Sequence, residues 1–148
     1  MIQRVQTLFL LGIVLFSLLL FFFPFEQIIV GDVRYFLNLM PGCLKTMVKP
    51  FIYVPIGLNA VIIALSLYTI FKFKRRKKQM KFAQLLMVLS ALLMGNLFTM
   101  NFLKVEETAV NDYKFVAFIP VVNIVLAFLA RWFIKKDEEL VKSADRIR

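Results

Sequence analysis

The polar side chains inside the long apolar stretches of this 148-residue chain are mostly amides and hydroxyls. Ser17, Ser66, Ser90 and Thr69 are nucleophiles by type, but each needs a general base within hydrogen-bond reach. The chain has no histidine, and no lysine or carboxylate stands at the same depth. Cys43 is the single cysteine, which excludes an intramolecular disulfide and CxxC redox chemistry. His-ligated zinc and haem are excluded with it. We expect no catalytic residue, no metal site and no cofactor, and so no enzyme.

Asn59, Asn96 and Asn123 carry the most chemistry that remains. Each lies seven or eight residues inside one end of an apolar stretch, about 11–12 Å deep at 1.5 Å per residue. That depth predicts one polar layer across three helices. An amide in hydrocarbon needs partners, so the three should point inward and bond to one another or to backbone. Pro55 and Pro120 precede Asn59 and Asn123 by four and three residues, and each is expected to free a carbonyl one turn earlier. The layer reads either as glue between helices or as the lining of a solute path.

The second constellation is KFKRRKKQMK at 72–81, with Lys72, Lys74, Arg75, Arg76, Lys77, Lys78 and Lys81. It can hold anionic lipid head groups, at roughly 1 kcal/mol per basic side chain. Alternatively it is an anchor that sets topology. Phe73 is the one aromatic among the charges, too few for a stacking platform, so no specific nucleic acid is expected.

The elements that must position these groups are membrane spans. The chain is 61% hydrophobic with seventeen Phe and a mean hydropathy of +0.79, concentrated in four blocks. We place spans at about 7–25, 51–71, 82–103 and 115–134, each long enough to cross about 30 Å of hydrocarbon. The first is expected to be an uncleaved span, because Phe22-Phe23-Pro24-Phe25 lacks the small residues of a signal-peptidase site. Segments 26–50 and 104–114 are loops. Gly31-Asp32 suits a two-residue hairpin turn, and Val110–Tyr113 could turn another. A small antiparallel patch from 28–36 and 108–114 is consistent with both. Arg131 can snorkel to the interface beside Trp132.

Fourteen of the nineteen Lys and Arg fall on the side of the N-terminus, the 72–81 loop and the C-terminal segment. Short cytoplasmic loops are rich in these residues, so both termini are expected in the cytoplasm, with any patch outside it. The segment 135–148 should continue the fourth span as a cytoplasmic helix, with Leu140, Val141, Ala144 and Ile147 as a narrow apolar face. Ala60 and Ala64 in span two, and Ala91 and Gly95 in span three, have the small-xxx-small spacing that lets backbones approach, within the chain or to another protein.

The opening MIQRVQT, Ile119-Pro120 and the closing KKDEELVKSADRIR together resemble a family of small four-span proteins of Bacteroidetes-type bacteria, catalogued as a domain of unknown function. The resemblance covers the whole chain and implies the inner membrane of a Gram-negative cell. It implies no activity, cofactor or site residue.

The expected fold is an all-α membrane protein, a four-transmembrane-helix bundle with both termini cytoplasmic and a small periplasmic β-patch. The expected function is a non-catalytic accessory subunit of a larger inner-membrane complex, such as a translocation, secretion or respiratory assembly. Its partners are membrane lipids and other inner-membrane proteins, and its faces also suit a homo-oligomer. The alternative is a small oligomeric transporter or channel built on the asparagine layer.

Overall fold

Prolines and charges set where the helices begin and end. The computed structural model describes residues 2–30, 33–37, 39, 53–72, 75–99 and 110–146. Helix α1 (Ile2–Phe22) stops before Pro24, whose ring disfavours helix at the preceding residue. Helix α2 (Tyr53–Phe71) and helix α4 (Ile119–Arg146) each carry a proline in the first turn, where a missing N–H costs nothing. The expected freed carbonyl is therefore corrected at Pro120. One turn earlier the Val116 carbonyl accepts the Ile119 N–H, in a 3₁₀ turn (Phe115–Phe118) that leads into α4. The residue one turn before Pro55 lies outside the described residues.

Helix α3 (Arg76–Thr99) begins inside the basic stretch rather than after it. Lysine, arginine and glutamine are good helix formers. The Arg75 carbonyl already accepts the N–H groups of Lys78 (3.0 Å) and Gln79 (3.1 Å). Most of the positive charge of this stretch thus rides on the first turns of α3. Helix α4 runs unbroken from Ile119 to Arg146, well past its apolar part.

Strands β1 (Glu26–Val30), β2 (Val33–Leu37) and β3 (Val110–Tyr113) form an antiparallel sheet in the order β2-β1-β3. Glu26 pairs with Leu37 on one side and Tyr113 on the other. Val110–Tyr113 is therefore a strand, not the turn its sequence suggested, because it finds β1's free edge. The Lys114 N–H donates to the Phe25 carbonyl at 3.0 Å, tying the sheet to the bundle end opposite the basic turn. Gly31-Asp32 lies outside the described residues, as does Cys43.

Helices α1 to α4 pack in a ring, each against its chain neighbours, with α4 closing on α1. One ladder from each faces inward: Gln6, Leu10, Ile13, Ser17 and Leu20; Pro55, Asn59, Ile62, Ser66 and Thr69; Gln79, Ala83, Leu86, Ser90, Leu93 and Leu97; Asn123, Ala127, Ala130 and Ile134. The alternating steps of four and three are the seam of a near-antiparallel bundle. Only 28% of each apolar window in α1, α2 and α3, and 39% in α4, is buried. The rest is a greasy exterior, and each of the four helices is long and apolar enough to cross a membrane.

Candidate functional site

Near the sheet end of the bundle, α1, α2 and α4 meet at Ser17. The Asn59 side chain donates its Nδ2 to the Ser17 backbone carbonyl at 2.9 Å. The Asn123 Nδ2 donates to the Ser17 hydroxyl, also at 2.9 Å. All three residues are fully buried. Two distant amides thus converge on one serine, and three helices are pinned at one level. The Oδ1 atoms of Asn59 and Asn123 are buried without a hydrogen-bond partner, as is the Ser90 hydroxyl on α3.

Asn96 does not join them. α3 is described to Thr99, so Asn96 lies three residues from that end rather than a full two turns inside a span reaching Leu103. It is half-buried, its Oδ1 has no partner, and its backbone carbonyl accepts the Thr99 hydroxyl at 3.0 Å. The three-asparagine layer is corrected to two asparagines and a serine. Counting inward from the end of α1 places Ser17 at that depth, but a serine without a base carries no catalytic signal and is easily passed over. Pro55 and Pro120 are both buried at the sheet end, in the first turns described above.

Further down, the Ser66 hydroxyl donates to the Leu10 carbonyl at 2.8 Å, a second tie from α2 to α1. The Thr69 hydroxyl turns back to Leu65 of its own helix (2.6 Å). The Gln79 Nε2 donates to the Thr69 carbonyl at 3.2 Å and holds the α2–α3 turn from inside. Gln79 was hidden by the charges around it.

At the basic end the predicted lipid-facing residues divide. Arg76 is drawn to Asp137 of α4, with Nη2 at 3.3 Å from Oδ2 and Nη1 donating to the backbone carbonyl at 3.2 Å. Lys72 lies over the Tyr68 ring, 5.1 Å from its centroid. Arg75, Lys77, Lys78 and Lys81 are exposed, and Lys74 is outside the described residues. On α4, Lys136 lies 5.5 Å from the centre of the Trp132 ring. Leu140 and Val141 are exposed. The side chains of Ala144 and Ile147 are not among those described.

The small-residue pairs are placed on the outside. Ala60, Ala64, Ala91 and Gly95 are all exposed, so they do not join α2 to α3, which meet instead through rings such as Tyr68 and Phe82 (5.4 Å, edge to face). Among the described glycines, the close approach belongs to Gly12 on α1, where a Cβ would sit 3.3 Å from Leu126 Cδ1 of α4. In the sheet, burial lifts the Tyr113 phenol above its ordinary 10.0, and the nearby Glu26 carboxylate adds to the lift. Among the described residues, no three His, Cys, Asp or Glu side chains come together as a metal site would require.

Four lipid-facing helices joined by buried amides and hydroxyls define a multi-pass membrane protein. The chain belongs to the family described as Domain of unknown function (DUF4293), whose model matches residues 2–147. No curated protein and no solved structure matches.

Proposed function

We propose that the protein is a non-catalytic accessory subunit of a larger assembly in the inner membrane of a Gram-negative cell, such as a translocation, secretion or respiratory complex. The observation that carries this is the outward stripe on α2. Gly57, Ala60 and Ala64 are exposed, and no atom lies within 4 Å of a Cβ built at Gly57. Small residues cost little to leave facing lipid and let a second helix come close. The Asn59 and Asn123 amide nitrogens and the Ser66 hydroxyl meanwhile tie the chain's own helices together. Charge supports an orientation with both termini and the basic turn in the cytoplasm and the sheet outside. Exposed Leu140 and Val141 would supply a second contact face on the cytoplasmic side.

Affinity purification from native membranes in mild detergent, read by mass spectrometry, tests this reading. A larger membrane protein should copurify, and Ala60→Phe with Ala64→Phe should release it while the bundle stays folded. Recovery of this chain alone, or of the same partner with both substitutions, counts against the proposal.

A transporter or channel is the second reading, favoured by the buried, unpartnered Oδ1 atoms of Asn59 and Asn123. It requires flux from the protein reconstituted alone, lost on Asn59→Leu.

A further inference from the structure

A groove of about 520 Å³ lies between α3 and α4 at the basic end. Lys77, Lys81 and Gln84 line it from α3, one face at steps of four and three, and Arg131 and Lys135 line it from α4. Glu138 and Glu139 line it as well, and both are engaged. Glu139 lies 3.8 Å from Lys135, and Glu138 has a contact of its own. Lys77, Lys81 and Arg131 have no ion-pair partner among the described residues. The uncompensated charge in the groove is therefore positive.

The groove sits where an apolar helix surface begins. Arg131 lies inside the apolar stretch Phe115–Val141. One and more turns deeper, the same faces continue as Val88, Ala91 and Gly95 on α3 and Phe128 on α4, all exposed. No atom lies within 4 Å of a Cβ built at Gly95, so a shallow apolar trough runs below the cations. A free phosphate compound would use only the upper half of this shape. A phospholipid uses both, with its phosphate among the cations and a chain along the trough.

We propose that this groove binds an acidic phospholipid, with Lys81 and Arg131 holding its phosphate and one acyl chain lying over Ala91 and Gly95. A guanidinium suits the task because its planar fork can bond two phosphate oxygens. Basic pockets between spans at headgroup depth have the chemistry acidic lipids need. The proposal rests on the chain crossing a membrane and is independent of whether it is a subunit of anything.

The test is native mass spectrometry of the full chain in detergent, titrated with phosphatidylglycerol, with phosphatidylcholine of the same acyl chains, and with glycerol phosphate. Phosphatidylglycerol should be retained well above phosphatidylcholine, and glycerol phosphate should not compete with it. Lys81→Gln and Arg131→Gln should each weaken retention about five-fold. Lys136→Gln, the same charge change outside the groove, should have little effect, and Ala91→Phe should weaken retention by blocking the trough. All are exposed positions, and circular dichroism checks that each variant folds; if one does not, the other cation variant decides. Equal retention of the two lipids, equal loss in Lys136→Gln and Lys81→Gln, or competition by glycerol phosphate would overturn the proposal. None of these readouts depends on a copurifying protein, so failure here and failure of the subunit reading are separable.

Discussion

Arg76, the first residue of α3, holds Asp137 of α4 by charge at 3.3 Å and by a hydrogen bond to its backbone carbonyl at 3.2 Å. The two side chains are 25% and 13% exposed, so the pair is shielded more than a surface ion pair. Beyond this clasp α4 continues to Arg146, with Leu140 and Val141 exposed. The clasp ties the start of α3 to α4, and a positive residue in the basic turn has a structural duty as well as any lipid contact.

Arg76→Gln should therefore loosen the end of α4 by about 1 kcal/mol. Amide hydrogen exchange around Asp137 should speed up several-fold while the interior of α1 is unchanged. Unchanged exchange at the end of α4 would mean that the helix stands without the clasp.

Ser17 serves its two amides by different atoms, and that difference is measurable. Asn123 uses the hydroxyl, whereas Asn59 uses the backbone carbonyl. Ser17→Ala should cost about 1 kcal/mol, the usual scale for such bonds in membranes. In double-mutant cycles of unfolding in detergent, Ser17→Ala should couple to Asn123→Leu and add independently with Asn59→Leu. Equal coupling to both asparagines would contradict the arrangement.

Two glycines should behave oppositely. Gly12→Leu forces α1 from α4 at Leu126 and should cost about 1–3 kcal/mol. Gly95→Ala meets nothing within 4 Å and removes the helix penalty of glycine, so a gain of about 0.5–1 kcal/mol is expected. Thermal unfolding in one detergent compares them directly.

The raised Tyr113 phenol gives a pH dependence of definite sign. Below pH 10.0 the phenol is neutral in both folded and unfolded chains, and stability is unaffected. Above it the unfolded chain loses its proton first, so stability falls as pH rises. Ultraviolet titration of tyrosinate should show a late component that Tyr113→Phe removes and Glu26→Gln shifts toward lower pH.

Helix count and the location of the positive charge were legible in the residues, because a span needs only length and an apolar composition. Which face of each helix turns inward was harder to read. In lipid an apolar side chain gains little by burial, so leucine and phenylalanine appear on every face and carry no direction. Polar residues do carry it. Gln6 and Ser17, then Asn59, Ser66 and Thr69, then Gln79 and Ser90, all lie on the buried ladders. Their seven-, ten- and eleven-residue separations were present in the sequence from the start. Taken by depth alone, they suggested Asn96 as a partner and passed over Ser17.

What the chain by itself determined is therefore four membrane-crossing rods and a basic end, properties summed over many residues. Only tertiary structure decided that two amides share one serine, that Gly12 rather than Ala60 or Gly95 marks the close approach, and that Lys81 faces Arg131 across a groove. These depend on helix rotation and on which helices are neighbours. A single exact distance between residues far apart in sequence leaves no periodic trace in either.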